Sequence, residues 1–264
     1  MLHDSSLGQR NRFYTADTAT GDPAFGYALC ENQYGRYCVP DSYAHREVPQ
    51  ILARGEVYEP ETLQRLRSIY SGGDIVSGGA FVGDFFPALA GVLEPGNKLF
   101  SFEPHPTTFA AALHTVQVNQ LHNVEIAPVA VGERPDTLPL QIARPNGKSL
   151  AAAARIVEDD DIDGKDYIIP VPITRLDDLI PQDRPVSILH LDIEGHEEPA
   201  LRGAQALLQR CTPIVVLETS RKRRLAIVDK YLSVLRELVP EAQYGLHHIV
   251  EDDGNAFFHP HQVA

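Results

Sequence analysis

The sequence predicts an α/β fold: a doubly wound, mostly parallel sheet with helices on both faces, an antiparallel C-terminal hairpin and a small N-terminal cap. Three observations carry that reading. From Gly73 onward the pattern alternates strand and helix, and repeated strand–helix units imply a parallel sheet covered on both faces. Right-handed crossovers then wind such a sheet in both directions. Near the C-terminus two strand-like runs surround Glu251-Asp-Asp-Gly254, a hairpin signal that makes the last strands antiparallel.

Residues 1–70 are expected to form the cap. Gly26-Tyr-Ala-Leu-Cys30 and Arg36-Tyr-Cys-Val39 flank an Asn/Gly-containing turn, which reads as a hairpin. Residues 60–69 begin with proline and carry apolar residues at 63, 66 and 69, the spacing of a helix. The main domain, 71–264, opens with a strand at Ile75 and Val76. A helix over 85–92 ends at Glu94-Pro-Gly96. A strand over 98–102, a helix over 106–119 and a strand over 124–131 follow. Thr174 is placed to cap a short helix through Leu179. Strand 186–191, helix 196–209, strand 214–217 and helix 225–238 continue the alternation, and 244–250 and 255–259 are the hairpin arms. The stretch 143–166 fits no element. It holds Ala151-Ala-Ala-Ala154 and the acidic run Glu158-Asp-Asp-Asp161, and reads as a surface loop or lid of the kind that is functional or disordered.

A chain of 264 residues is long enough to bury a core. No apolar run is long enough to span a bilayer, so no membrane partner is expected. The first ten residues lack an apolar signal region, which points to the cytoplasm. A net charge of −13 argues against a nucleic-acid partner. The one basic cluster, Arg221-Lys-Arg-Arg224, reads as a solvated helix start. Cys30, Cys38 and Cys211 are odd in number and lack CxxC spacing, so they are expected as buried or half-buried thiols rather than a disulfide framework or zinc site. Oligomeric state is not legible.

Two strand endings carry the chemistry. Gly78-Gly-Ala-Phe-Val-Gly83 stands where a strand turns into a helix; glycines there let backbone approach a ligand, and a helix N-terminus adds free N–H groups. Glu103 ends the next strand, twenty residues beyond Gly83, where a carboxylate accepts hydrogen bonds from a ribose diol. The glycine order departs from the G-x-G-x-x-G of NAD sites, which weakens a hydride-transfer reading. The second ending is Asp192-Ile-Glu-Gly-His-Glu197. Asp192 closes its strand and should face the crevice beyond the sheet. Glu197 and Glu198 are read as helix-dipole acids. Glu218 closes the neighbouring strand and should point into the same crevice; His247 and His248 lie in the hairpin, and either alone is read as structural. No residue is assigned as a zinc ligand, since HExxH and cysteine ligands are absent.

Taken together, these phrases resemble the FkbM-type methyltransferases, a family within the seven-stranded S-adenosylmethionine-dependent enzymes. The resemblance runs from about residue 58 to about residue 258. It rests on Gly79-Ala-Phe-Val-Gly83, Phe102-Glu-Pro104, Asn123-Val124 with Ala130-Val-Gly132, Val171-Pro-Ile-Thr174 with Leu176-Asp-Asp-Leu179, and Leu191-Asp-Ile-Glu-Gly-His196, in that order. It departs from the family at Ser77, where members commonly carry an acid, and at Phe81, often asparagine. The resemblance implies cofactor contacts at Glu59, Gly79, Phe81, Gly83, Glu103, Ala130 and Asp192, and O-methylation of a small-molecule or glycan acceptor. His196, with Asp192 and Glu218, is then the catalytic set: a histidine base suits neutral pH. The alternative is a magnesium ion on Asp192, Glu194 and Glu218 that lowers the hydroxyl pKa. Competing classes are an NAD-dependent oxidoreductase and a non-catalytic adenosylmethionine-binding protein.

Overall fold

The computed structural model describes residues 13–18, 21–157, 165–219 and 224–261. The acidic run at 158–161 and residues 221–223 of the basic cluster lie outside them. In chain order the elements begin with β1 (Tyr27–Asn32) and β2 (Gly35–Pro40), an antiparallel hairpin. Helix α1 (Glu47–Ala53) follows, then α2 (Pro60–Ile69), which starts on its proline and buries Leu63 and Leu66. Next come β3 (Asp74–Gly78), α3 (Phe86–Ala90), β4 (Leu99–Phe102), α4 (Pro106–Val118) and β5 (Val124–Ala127). Four strands then leave the main sheet: β6 (Ala130–Val131), β7 (Asp136–Gln141), β8 (Arg155–Ile156) and β9 (Ile168–Thr174). The chain closes with α5 (Leu176–Leu179), β10 (Val186–Leu191), α6 (Glu197–Arg202), α7 (Gln205–Cys211), β11 (Ile214–Glu218), α8 (Arg224–Leu238), β12 (Gly245–Val250) and β13 (Asn255–His259).

The central sheet is mixed, in the order β12-β13-β11-β10-β3-β4-β5. The five strands from β11 to β5 pair in parallel, and β13 runs antiparallel to both β11 and β12. Alternate side chains separate two cores, as the two-residue period of a strand requires. Val76, Phe100, Leu189 and Leu217 pack under α5 to α8. Ile75, Leu99, Ile188 and Val216 pack under α2, α3 and α4. At the far pole Asp74 is fully buried and paired in fork geometry with Arg184. Removing Arg184 would leave a buried carboxylate without its charged partner, a greater loss than that of an exposed ion pair.

Several expectations are corrected. The strand expected over 124–131 ends at Ala127, because Pro128 has no N–H for the ladder; β6 joins a second sheet of order β6-β9-β7-β8. The stretch 143–166 is not wholly loop. Its described part contributes an isolated bridge from Ala143 to Ser149, a 3-10 turn over Ala151–Ala153, and β8. Pro139, Pro170 and Pro172 lie inside β7 and β9, and proline masks a strand pattern. The helix expected over 196–209 breaks at Gly203, whose hydrogen faces the Gly132 carbonyl, and restarts as α7 because Asp177 accepts the N–H groups of Ala206 and Leu207. Thr174 is not the cap of α5: Arg175 holds that position without a side-chain bond.

The N-terminal segment is bonded to the main sheet's helices. Cys38 N–H donates to Thr115 Oγ1 at 3.0 Å, and Arg36 and Asn119 exchange two hydrogen bonds. Tyr37, Val39 and Tyr43 share a buried cluster with Phe81, Ala111 and Ala151. The three cysteines are free thiols, and burial pushes Cys38 up to about 12. Among the described residues no helix is long and apolar enough to cross a membrane.

Candidate functional site

The strand order reverses between β3 and β10, and the crevice beyond such a switch point is where an open α/β sheet holds ligands. Gly79 follows β3 and Asp192 follows β10. Asp192 N–H donates to the Gly78 carbonyl at 3.3 Å. A Cβ on Gly79, whose φ is +80°, would collide with the Asp192 carbonyl oxygen. Only glycine lets the two chains approach there.

Beyond Gly79 the turn is fastened to the end of β4. Phe81 N–H donates to Glu103 Oε2 and His105 N–H to Glu103 Oε1, each at 2.9 Å. Ala80 N–H donates to the Phe102 carbonyl, and Gly83 N–H to the Ala80 carbonyl. Phe81 sits at φ +45° with its ring beside Tyr43. Burial pushes Glu103 up to about 7 against the lowering effect of its N–H partners. Helix α3 starts at Phe86, and three N–H groups of the turn are already bonded: Ala80 to the Phe102 carbonyl, Phe81 to Glu103 and Gly83 to the Ala80 carbonyl. Gly83 is not a cavity-lining residue. A Cβ there would press on the Phe86 ring at 2.7 Å and on Thr115.

The other wall is acidic. Glu59, Asp84, Asp192, Glu194 and Glu218 line one cavity. Burial is the first cause in each case. It raises Glu59 to about 8, helped by Asp253, and Glu194 to about 7, helped by Glu218. Asp84 is raised to about 7. Asp192 lies well above its ordinary range, and Glu218 reaches about 9 through burial and the Asp192 charge. Asp192 and Glu218 are hydrogen-bonded to each other, and burial raises both. Glu59 is the left-handed residue before α2, and its Oε2 accepts from Asn255 Nδ2 at 2.8 Å. Among the described lining residues Arg155 is the only Lys or Arg. Among the described residues no group of three or more His, Cys, Asp or Glu side chains is placed to hold a metal ion, so the magnesium alternative has no support.

The loop from β10 to α6 is clamped from beneath. Glu197 is buried; its Oε1 accepts from Ile193 and Gly195 N–H, and its Oε2 accepts from Tyr231. Reading Glu197 as a helix-dipole acid is thus corrected: it holds the loop that presents Asp192, Glu194 and His196. Glu198 pairs with Arg202 and Lys230. His196 precedes α6, lines the cavity, and is kept neutral by burial, which lowers its pKa. Gly132 leaves room for it, since a Cβ there would come within 3.2 Å of Nε2. Ala130, at the start of β6, also lines the cavity. Its roof comes from β7, β8 and the turn between them, through Leu140, Ala151, Ala152, Arg155 and Ile156. His247 and His248 are not cavity residues; His247 stacks on His259 with ring centroids 4.1 Å apart.

Tyr58, Asp84 and His190 were not singled out from sequence, yet all three line the cavity. His190 lies on β10, two residues before Asp192, and lines the same cavity. Its Nδ1 is 2.9 Å from Ser77 Oγ, and its ring stacks on Phe85 at 5.5 Å with an 8° interplanar angle. Burial lowers its pKa to about 4. Its Nε2 is buried with no partner.

A family model described as the methyltransferase FkbM domain matches residues 77–245. No curated protein matches the chain. Among solved structures, the chain is similar to methyltransferase FkbM from Methylobacillus flagellatus KT, with 18% identity and a TM-score of 0.52 over 81% of this chain and 52% of that one. The chain therefore spans about half the length of that protein. A SAM-dependent methyltransferase from Aquifex aeolicus matches at 13% identity, a TM-score of 0.41, and 76% and 89% coverage. Aeropyrum pernix fibrillarin in complex with natively bound S-adenosyl-L-methionine matches at 12% identity, a TM-score of 0.43, and 90% and 84% coverage.

Proposed function

The chain belongs to the FkbM methyltransferase family, and we propose that it is an S-adenosylmethionine-dependent O-methyltransferase acting on a hydroxyl of a sugar or natural-product acceptor. The observation that carries this reading is the crevice between Gly79 and Asp192. A carboxylate-anchored turn closes one side, and six carboxyl groups, those of Glu59, Asp84, Asp192, Glu194, Glu218 and Asp253, face the other with Arg155 the only Lys or Arg among the described lining residues. A cationic, phosphate-free nucleoside matches that wall. A dinucleotide pyrophosphate does not, since the N–H groups of Ala80, Phe81 and Gly83 are already spent.

Glu103 retains lone pairs beyond its two N–H partners and would hold the ribose hydroxyls. Gly79, Phe81 and Ala130 would shape the nucleoside bed. Asp192 and Glu59 would face the cationic end. S-adenosylmethionine supplies a sulfonium methyl group as the electrophile when bound. The protein's task is to align an acceptor oxygen and exclude water. Neutral His196 would take the acceptor's proton at a ring nitrogen. Glu218, hydrogen-bonded to Asp192, would stand beside the cofactor's cationic end. The roof over 140–156 would select the acceptor.

The test measures label transfer from methyl-labelled S-adenosylmethionine to panels of sugars and phenolic natural products. His196→Ala should lower turnover at least about a hundredfold, the lower range for a lost general base, with binding of S-adenosylhomocysteine changed little. Equal turnover at saturating acceptor removes His196 as the base. Saturable cofactor binding without transfer to any acceptor favours a binding protein.

A further inference from the structure

We propose that His190 is a cofactor-binding residue, donating its Nε2–H to the carboxylate at the amino-acid end of S-adenosylmethionine. The assignment rests on the cofactor reading above. Ser77 Oγ and His190 Nδ1 are hydrogen-bonded at 2.9 Å deep between β3 and β10, where the two residues are register partners. Either group could donate. If Nδ1 carried the proton, both the serine hydrogen and Nε2 would be left without partners. If the serine donates, one orphan remains, an N–H at Nε2. Buried polar groups avoid being orphaned, so the second tautomer is assigned. The ring is 4% exposed, held flat against Phe85, and neutral because burial lowers its pKa. It cannot swing away to find water.

An N–H fixed in that way calls for an acceptor that enters with a ligand. The cavity's walls are acids, so a ligand carboxylate finds few donors there. Among the described lining residues Arg155 is the one Lys or Arg, and it sits in the roof on β8. His190 lies on β10 and lines the same cavity as Asp192, which follows the strand two residues on. With the ribose at Glu103 on β4, the amino-acid end runs across Gly79 towards β10. A zwitterionic end then meets both partners it needs: Asp192 for the ammonium and His190 for the carboxylate. Ser77 acts as the positioning residue, since its hydroxyl sets which nitrogen carries the proton.

The experiment compares two nucleosides by calorimetry or competition. S-adenosylhomocysteine carries the amino-acid end, and methylthioadenosine lacks it. His190→Phe keeps the stack on Phe85 and removes the donor. It should weaken S-adenosylhomocysteine by about tenfold to a hundredfold, the range for a lost hydrogen bond to a charged group, and leave methylthioadenosine within about twofold. Should that variant not fold, Ser77→Ala reads the same ratio and should shift it in the same direction by a smaller factor. Equal losses for both nucleosides, or no loss for either, overturn the assignment while leaving the cofactor reading standing. If the wild-type protein binds neither nucleoside, the cofactor reading fails and this assignment fails with it.

Discussion

The two sides of the crevice are built in opposite ways. At the end of β4, Glu103 has a backbone N–H on each oxygen and is finished without a ligand. At the ends of β10 and β11, Asp192, Glu194 and Glu218 stand close to Glu59, and among the described lining residues Arg155 is the only Lys or Arg to offset them. Both sides have raised carboxyl pKa values, first through burial. On the acidic side the second cause is repulsion by neighbouring acids, whereas at Glu103 every further contribution is a hydrogen bond that lowers the value. One side is a self-supporting anchor. The other is strained electrostatically and is relieved by a positive charge.

The contrast can be broken most severely at Gly79, where the two sides touch. Gly79→Ala pushes backbone against backbone at a positive φ, so nucleoside binding should vanish in a titration calorimeter and the melting temperature should fall. Retained binding would mean that β3 and β10 part without consequence. Glu103→Ala is next. It removes the carboxylate proposed to hold the ribose and leaves the N–H groups of Phe81 and His105 without their partner, so affinity for S-adenosylhomocysteine should drop tenfold or more, on the order of a lost charged hydrogen bond. Unchanged affinity would sink the ribose role.

How far this was legible in sequence differs between the sides. The β4 side was readable because its signals are local: a glycine turn, then an acid at the end of the next strand. The anchor's other duty, holding Phe81 N–H, was not readable, since it depends on the turn bending back at φ +45°. Asp192 and Glu218 were legible as strand ends. The hydrogen bond between them was not, because it depends on how the two side chains meet beyond the paired strands. His190 was hidden by looking apolar in context, the middle of Ile188-Leu-His-Leu191; only its pairing with Ser77 and its face give it meaning. In the fold, α2 and α4 kept nearly the expected bounds through proline starts. The second sheet stayed hidden behind its prolines, and the roof over the cavity stayed hidden with it.

The acidic wall gives the most direct test. On that wall Glu194, Glu59 and Glu218, raised to about 7, 8 and 9, hold protons in the empty protein near neutrality. Their contribution to stability is present below the ordinary carboxyl range and is lost as pH rises through those values. A bound cation draws those pKa values down, so binding must release protons and tighten as pH rises. The decisive measurement is calorimetric titration of S-adenosylmethionine at pH about 6 and about 7.5 in buffers of different ionisation enthalpy, beside uncharged methylthioadenosine. The account predicts proton release and severalfold tighter binding at the higher pH for S-adenosylmethionine, with a flat profile for methylthioadenosine. Identical pH profiles for the two, or no binding of S-adenosylmethionine, would contradict it.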